Sequence, residues 1–315
     1  MNEIKMGKPN LEIFADALLQ EAQKDKDIIV VTSDSRGSGK LVPFGKALPD
    51  QIIEVGIAEQ NLVGVSAGLA ATGKKVFAVS PASFLTARSL EQIKADIAYS
   101  NLPVTLVGIS AGISYGQLGS THHSIHDYAV LRCINNMTIV SPADNLEASA
   151  VIQQAVHYPH PLYIRYGKKS LMDIHQSNQS FEIGKAITVQ GGEDVTLIAT
   201  GETVPRAVLA GKILKERGIN PTIISMHTIK PFDLITFHQS IKNSKCLITL
   251  EEHSIYGGLG EQCASIIAQE NLKIKLKILG IPDEYMVNGS QSDVLDYYGM
   301  SPEKIADTAQ HLLKS

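Results

Sequence analysis

The 315-residue chain contains no tryptophan and only three cysteines. Cys133, Cys246 and Cys263 are odd in number, widely spaced and without a Cys-x-x-Cys pair, so neither a disulfide framework nor a zinc site is indicated and they read as small buried hydrophobes. Long apolar runs are missing too. No stretch approaches the roughly 18 uninterrupted residues that span a bilayer, and the polar opening Met1-Asn2-Glu3-Ile4-Lys5 has no signal-peptide core. A cytoplasmic protein with no membrane partner is expected. Basic charge is not in excess: 28 Lys and Arg against 32 Asp and Glu give a formal charge of −4, which offers no footprint for nucleic acid. With 44% hydrophobic and 19% charged residues, the remaining class is a globular protein of about two domains that works on small molecules.

What is present is an alternation of short apolar runs with helical periodicity. Helix is expected over Leu11 to Ala22, Ala82 to Tyr99, Asp127 to Arg132 and Asn145 to Tyr158; strand is expected over 28–31, 75–80, 104–108, 138–140 and 162–165. This predicts an α/β fold with a parallel sheet over residues 1–170. The polar passage 167–180, rich in Gly, Lys, Ser, Asn and Gln, reads as the start of a linker placed at 171–190. Residues 191–315 repeat the alternation as a second, smaller α/β domain, with strands near 195–200, 222–225, 246–250 and 274–279. Two glycine-rich loops, 32–39 and 257–260, lack the Gly-Lys-Ser/Thr ending of a P-loop and the Gly-x-Gly-x-x-Gly spacing of a dinucleotide fingerprint.

One stretch carries chemistry. Ile52 to Gly68 runs from a short strand through a turn into a helix with Gly64, Ala67, Gly68 and Ala71 at three- and four-residue spacing. The turn delivers Glu59 to the strand's carboxyl end, where open parallel sheets bind ligands. Taken alone, Glu59 is either a first-turn acid meeting the helix dipole or a ligand-facing carboxylate. The long loop 109–127 holds His122, His123 and His126; no acidic or Cys cluster completes a metal site, so an imidazole facing a substrate is the reading. Phe84, in a first helical turn, is either core packing or a lid on a heterocycle.

Gly56-Ile57-Ala58-Glu59-Gln60-Asn61, Gly119-Ser120-Thr121-His122-His123, Ser141-Pro142-Ala143-Asp144, Thr228-Ile229-Lys230-Pro231-Phe232-Asp233 and Glu251-Glu252-His253 with Gly257-Gly258-Leu259-Gly260 together resemble the carboxyl-terminal half of the transketolase family. The resemblance covers nearly the whole chain and implies a pyrimidine-binding domain followed by the transketolase C-terminal domain. It implies thiamine diphosphate as cofactor, with Glu59 bonding the pyrimidine ring nitrogen, Phe84 stacking on the ring and Ile57 beside it. His122 would face the substrate and assist its proton movements, Arg165 would grip a terminal phosphate, and Ser38, Ser110 and Leu118 would line the substrate site.

The family's Gly-Asp-Gly metal-diphosphate motif is absent from the chain. The resemblance therefore implies a split enzyme: an N-terminal transketolase subunit carrying Gly-Asp-Gly would hold the diphosphate and a Mg2+ or Ca2+ ion, in an α2β2 hetero-oligomer with a ββ contact. The departures concern the sugar. Leu118 stands where the family has an acid that bonds a sugar hydroxyl, and Ser110 where it has a phosphate-binding histidine, which implies ketol transfer with a non-standard sugar: an unusual phosphorylated sugar, a sulfonated one or a neutral ketose. Two other readings remain open at this point, the β subunit of a 2-oxoacid or acetoin dehydrogenase and a catalytically silent regulatory partner.

Overall fold

The computed structural model describes residues 5–315. β1 (Met6–Pro9) leads into α1 (Asn10–Lys24), β2 (Ile28–Thr32), α2 (Val42–Ala47), β3 (Ile52–Glu54), α3 (Glu59–Ala71) and β4 (Lys75–Pro81). The first layer continues with α4 (Ala82–Arg88), α5 (Leu90–Gln92), β5 (Val104–Ile109), α6 (Asp127–Arg132), β6 (Thr138–Val140), α7 (Asn145–Ala155) and β7 (Leu162–Tyr166). β2, β5 and β7 are buried at every residue, as continuous apolar runs must be when helices cover both faces of a parallel sheet. The helix expected from Ala82 to Tyr99 is interrupted. Ser89 turns its hydroxyl back onto the Leu85 carbonyl at 2.5 Å, and after α5 the segment Ile93–Tyr99 winds as a π-helix.

The second layer comprises β8 (Ser170–Met172), β9 (Ile187–Gln190), β10 (Val195–Ala199), α8 (Val204–Glu216), β11 (Pro221–Ser225), β12 (Thr228–Lys230) and α9 (Leu234–Ile241). It closes with β13 (Cys246–Ser254), α10 (Leu259–Gln269), β14 (Lys275–Ile281), α11 (Gln291–Tyr297) and α12 (Pro302–Lys314). The first sheet has the order β12-β6-β7-β5-β4-β2-β3 and the second β14-β13-β10-β11-β9. β12 crosses from the second half of the chain to pair antiparallel with β6, so the first sheet borrows its outer strand. One apolar cluster runs from Leu62 and Val63 on α3 through Leu106 and Tyr163 to Ile224, Met226 and Leu247. The two layers thus share a core.

The passage 171–190 is fastened on both sides rather than being a free linker. β8 pairs antiparallel with β1, and β9 is the edge strand of the second sheet. Between them, the amides of Ile174 and His175 and the His175 Nδ1 all meet Asp144 Oδ2 at 2.8–2.9 Å, and Phe181 is buried with its carbonyl accepting from Gln154. Backbone groups of the passage and the His175 ring, rather than its Ser, Asn and Gln side chains, find partners on α7 and its N-cap.

Candidate functional site

β3, β4, β5 and β7 run parallel in one sheet, so their carboxyl ends lie along the same edge of it. Glu59 is the first residue of α3, without a side-chain cap, and only 4% exposed. Its sole side-chain partner among the described residues is Arg88, whose Nη1 lies 3.1 and 3.0 Å from the two carboxylate oxygens and which is itself 51% exposed. Arg88 follows Phe84 by one helical turn on α4, and its guanidinium sits 4.5 Å above the Phe84 ring. Beside this pair an open recess of about 470 Å³ is lined by Ile57 to Asn61 and Arg88, with Ile57 74% exposed on its rim.

From Phe84 the row continues. The His122 ring meets Phe84 edge-on at 5.4 Å and Tyr115 edge-on at 5.2 Å, and the Lys168 amine lies 3.8 Å from the centre of the Tyr115 ring. His122 Nδ1 is 3.0 Å from the Thr121 hydroxyl. Partial burial and the nearby Lys40 charge pull the Lys168 amine below the usual lysine range. Glu59, Arg88, Phe84, His122, Tyr115 and Lys168 therefore form one continuous wall. Neither neighbouring histidine joins it: His123 turns inward to the Gly116 carbonyl at 2.9 Å, burial lowering its pKa, and His126 Nε2 meets the Thr86 hydroxyl at 3.3 Å. Among the described residues no group of three or more His, Cys, Asp or Glu could hold a metal ion.

Arg165 is not where a substrate-gripping arginine must be. It is 6% exposed, and its Nε donates to Asp127 Oδ2 at 2.8 Å, Nη1 to the Tyr128 hydroxyl at 3.0 Å, and Nη2 to the carbonyls of Ser124 at 2.9 Å and Glu252 at 2.7 Å. Burial works against its charge, but Asp127 together with Tyr128, Glu252 and Tyr163 more than offsets that penalty and holds the guanidinium protonated. Its donors are spent inside the protein. The remaining candidates divide: Leu118 is exposed on the turn that precedes His122, Ser38 is exposed and bonds only within its own loop to the Ser35 carbonyl at 3.3 Å, and Ser110 is buried with φ +54° and its hydroxyl unpartnered. Arg88, Tyr115 and Lys168 are missing from the sequence reading, although the four-residue step from Phe84 to Arg88 on one helix face was available as a signal.

Comparison with known proteins matches this architecture. Residues 9–173 match the transketolase pyrimidine-binding domain and residues 184–305 the transketolase C-terminal domain. The chain is 45% identical over 302 residues to one of the subunits of the apulose-4-phosphate transketolase of Phocaeicola vulgatus, covering 96% of each chain. It is 33% identical to the 6-deoxy-6-sulfo-D-fructose transketolase subunit SqwH of Clostridium sp., covering 96% of this chain and 93% of that one. A solved split gene transketolase, described as an inactive beta4 tetramer, superposes with a TM-score of 0.89 at 31% identity, covering 98% of this chain and 99% of that one. The chain belongs to the transketolase family, as the C-terminal subunit of a split transketolase.

Proposed function

We propose that this chain works with an N-terminal partner subunit to move a two-carbon ketol unit from a ketose donor to an aldose acceptor, using thiamine diphosphate and a sugar with an anionic terminus outside the common pentose and heptulose set. The observation that carries this reading is the single wall on which Glu59, Phe84 and His122 meet. The cofactor's aminopyrimidine half fits that wall: a nearly buried carboxylate beside an open recess has as its only side-chain partner among the described residues a half-exposed arginine, and that arginine covers the face of the Phe84 ring, so a heterocycle that displaced it would meet both groups. When bound, thiamine diphosphate supplies the carbon nucleophile.

This chain's residues bind and orient around that chemistry. Glu59 holds the proton shared with the ring nitrogen, Phe84 presents a stacking face with Ile57 at its edge, and His122 moves protons on the sugar oxygens. Lys168, not Arg165, supplies the cation for the sugar's terminal anion; Leu118 offers that sugar an apolar contact, and Ser38 and Ser110 lie at the periphery. The diphosphate and its Mg2+ or Ca2+ ion belong to the partner, whose Gly-Asp-Gly motif complements what this sequence lacks. The relatives named as transketolase subunits favour this reading over a dehydrogenase β subunit or a silent partner. The sugars in their names, apulose 4-phosphate and 6-deoxy-6-sulfofructose, support a phosphorylated or sulfonated sugar here. An α2β2 assembly with a ββ contact and a cytoplasmic location complete the proposal.

The test is reconstitution of the two subunits with thiamine diphosphate, a divalent ion and a panel of ketoses. Ketol transfer with an unusual phosphorylated or sulfonated sugar, at a specificity constant well above that of xylulose 5-phosphate, is the expected result. No transfer from any ketose, or a wide preference for xylulose 5-phosphate with ribose 5-phosphate, overturns it.

A further inference from the structure

The loop that carries Leu118 and His122 springs from the first sheet, yet the second domain holds it down. Ile113 donates its amide to Glu252 Oε1 at 2.7 Å, Ser254 donates its amide to the Ile125 carbonyl at 2.9 Å, and a Cβ on Gly116 would stand 3.0 Å from the Gly289 carbonyl. Gln291, the first residue of α11 and almost fully buried, completes the anchor. Its Nε2 donates one hydrogen to Glu252 Oε1 at 2.9 Å and the other to Glu202 Oε2 at 2.8 Å. Glu202 in turn lies against Gly167, where any Cβ would collide with its carboxyl, immediately before Lys168. One amide nitrogen thus links a point behind His122 to a point behind Lys168.

We propose that Glu252 and Gln291 are positioning residues: from the second domain they set the separation of His122 and Lys168 across the sugar site, and so set which length of sugar is accepted. This rests on the transketolase reading of those two residues. Both bonds to Glu252 land on the same oxygen, so the anchor needs an acceptor at Oε1 and not a negative charge. The surroundings agree. Burial raises the pKa of both Glu202 and Glu252, the Glu252 charge adds to the rise at Glu202, and the Gln291 hydrogen bond and Arg165 oppose it at both, with the Ile113 amide doing the same at Glu252. Arg165 is itself paired with Asp127, so it is not a free counter-charge for Glu252. An amide at position 252 keeps a carbonyl oxygen where Glu252 Oε1 accepts both bonds, so the anchor survives the loss of the charge.

The experiment compares Glu252→Gln, Glu252→Ala and Gln291→Met in the full chain, assembled with its partner subunit. Amide hydrogen exchange over residues 110–123 reads the anchor without turnover, and the KM and kcat of the best sugar read its consequence. Glu252→Ala should speed exchange in the loop about tenfold or more, raise KM about tenfold and lower kcat with it, since the loosened loop carries His122 away from the sugar oxygens on which it acts. Glu252→Gln should keep all three within about threefold of the parent. If Glu252→Ala does not fold, Gln291→Met, which keeps the Ile113 bond but removes both links, should raise KM and leave the Ile113 amide protected. Slow loop exchange in Glu252→Ala, equal damage from Gln and Ala at 252, or unchanged KM in Gln291→Met overturns the proposal. A complex that transfers no ketol group from any sugar would instead overturn the functional reading, and the exchange comparison would still decide whether Glu252 anchors the loop.

Discussion

Two sets of ionisable side chains stand within the same crevice region and differ in one respect. Arg165, Asp127 and Glu252 are buried, Glu202 is partly so, and the main partners of all four are other groups of the same chain. Glu59, His122 and Lys168 have few internal partners, and what they do touch is half-exposed. A buried charge must be paired or hydrogen-bonded to be tolerated, so a full complement of internal bonds marks a structural role. A polar group with capacity to spare at the mouth of a crevice is available to a ligand. Residue type did not separate the sets, and neither did a bare count of bonds, since Glu202 Oε1 has no partner; whether the partner groups are buried or solvent-facing did.

The comparison breaks most visibly at Glu59. In the assembled enzyme Glu59→Gln should lower turnover by on the order of 10²- to 10⁴-fold, the scale of losing a proton-sharing partner, with the fold intact by circular dichroism. A mutant with near-normal ketol transfer removes Glu59 from the open set. Arg165→Met tests the closed set: it leaves Asp127 without its cation in the interior, a loss of about 3–5 kcal/mol in urea unfolding. If stability is unchanged and only the KM for the sugar rises, Arg165 belongs with the ligand-facing residues after all.

Lys168→Ala should raise KM for an anionic sugar about ten- to hundredfold with kcat little changed, and should not alter the thermal midpoint, because Lys168 gives the fold only a cation–π contact. Equal KM values for parent and variant would move the anion site elsewhere. The smallest effect is on pH. Glu202 and Glu252 have folded pKa values raised above the ordinary 4.5 by burial, so the native state binds more protons than the unfolded one. Their contribution to stability is complete below the unfolded value and fades as pH rises through the raised values. Urea midpoints measured from pH 5 to 9 should fall, and Glu202→Gln should flatten the slope; a slope identical in the variant refutes the assignment.

Much of this organisation is written locally. The α/β alternation, the delivery of Glu59 by a strand-turn-helix and the placement of His122 on a long loop follow from runs and spacings within a dozen residues. Arg165 is different: strand alternation gives its side but not what lies above it, and its cover comes from Ser124 and Glu252, 41 and 87 residues away. The passage 171–190 was opaque for the same reason, its polar atoms being satisfied by Asp144 and Gln154 on distant elements. Lys168 could not be singled out because its role is defined by Tyr115, a residue on another loop.

The borrowed strand β12 bears on how this chain can be divided. It seals the edge of β6, and Lys230 on it adds a bond from its amine to the Arg132 carbonyl at 3.0 Å and another to that of Ile134. A fragment trimmed at the visible seam between the two domains would bare one edge of the buried strand Thr138–Val140, leaving unpaired those backbone groups that face away from β7. Such an edge is a template for sheet extension by a second molecule. The two halves are therefore not interchangeable building blocks: a graft that replaces the second domain must bring a strand that fits β6, or the first domain will find one in its neighbour.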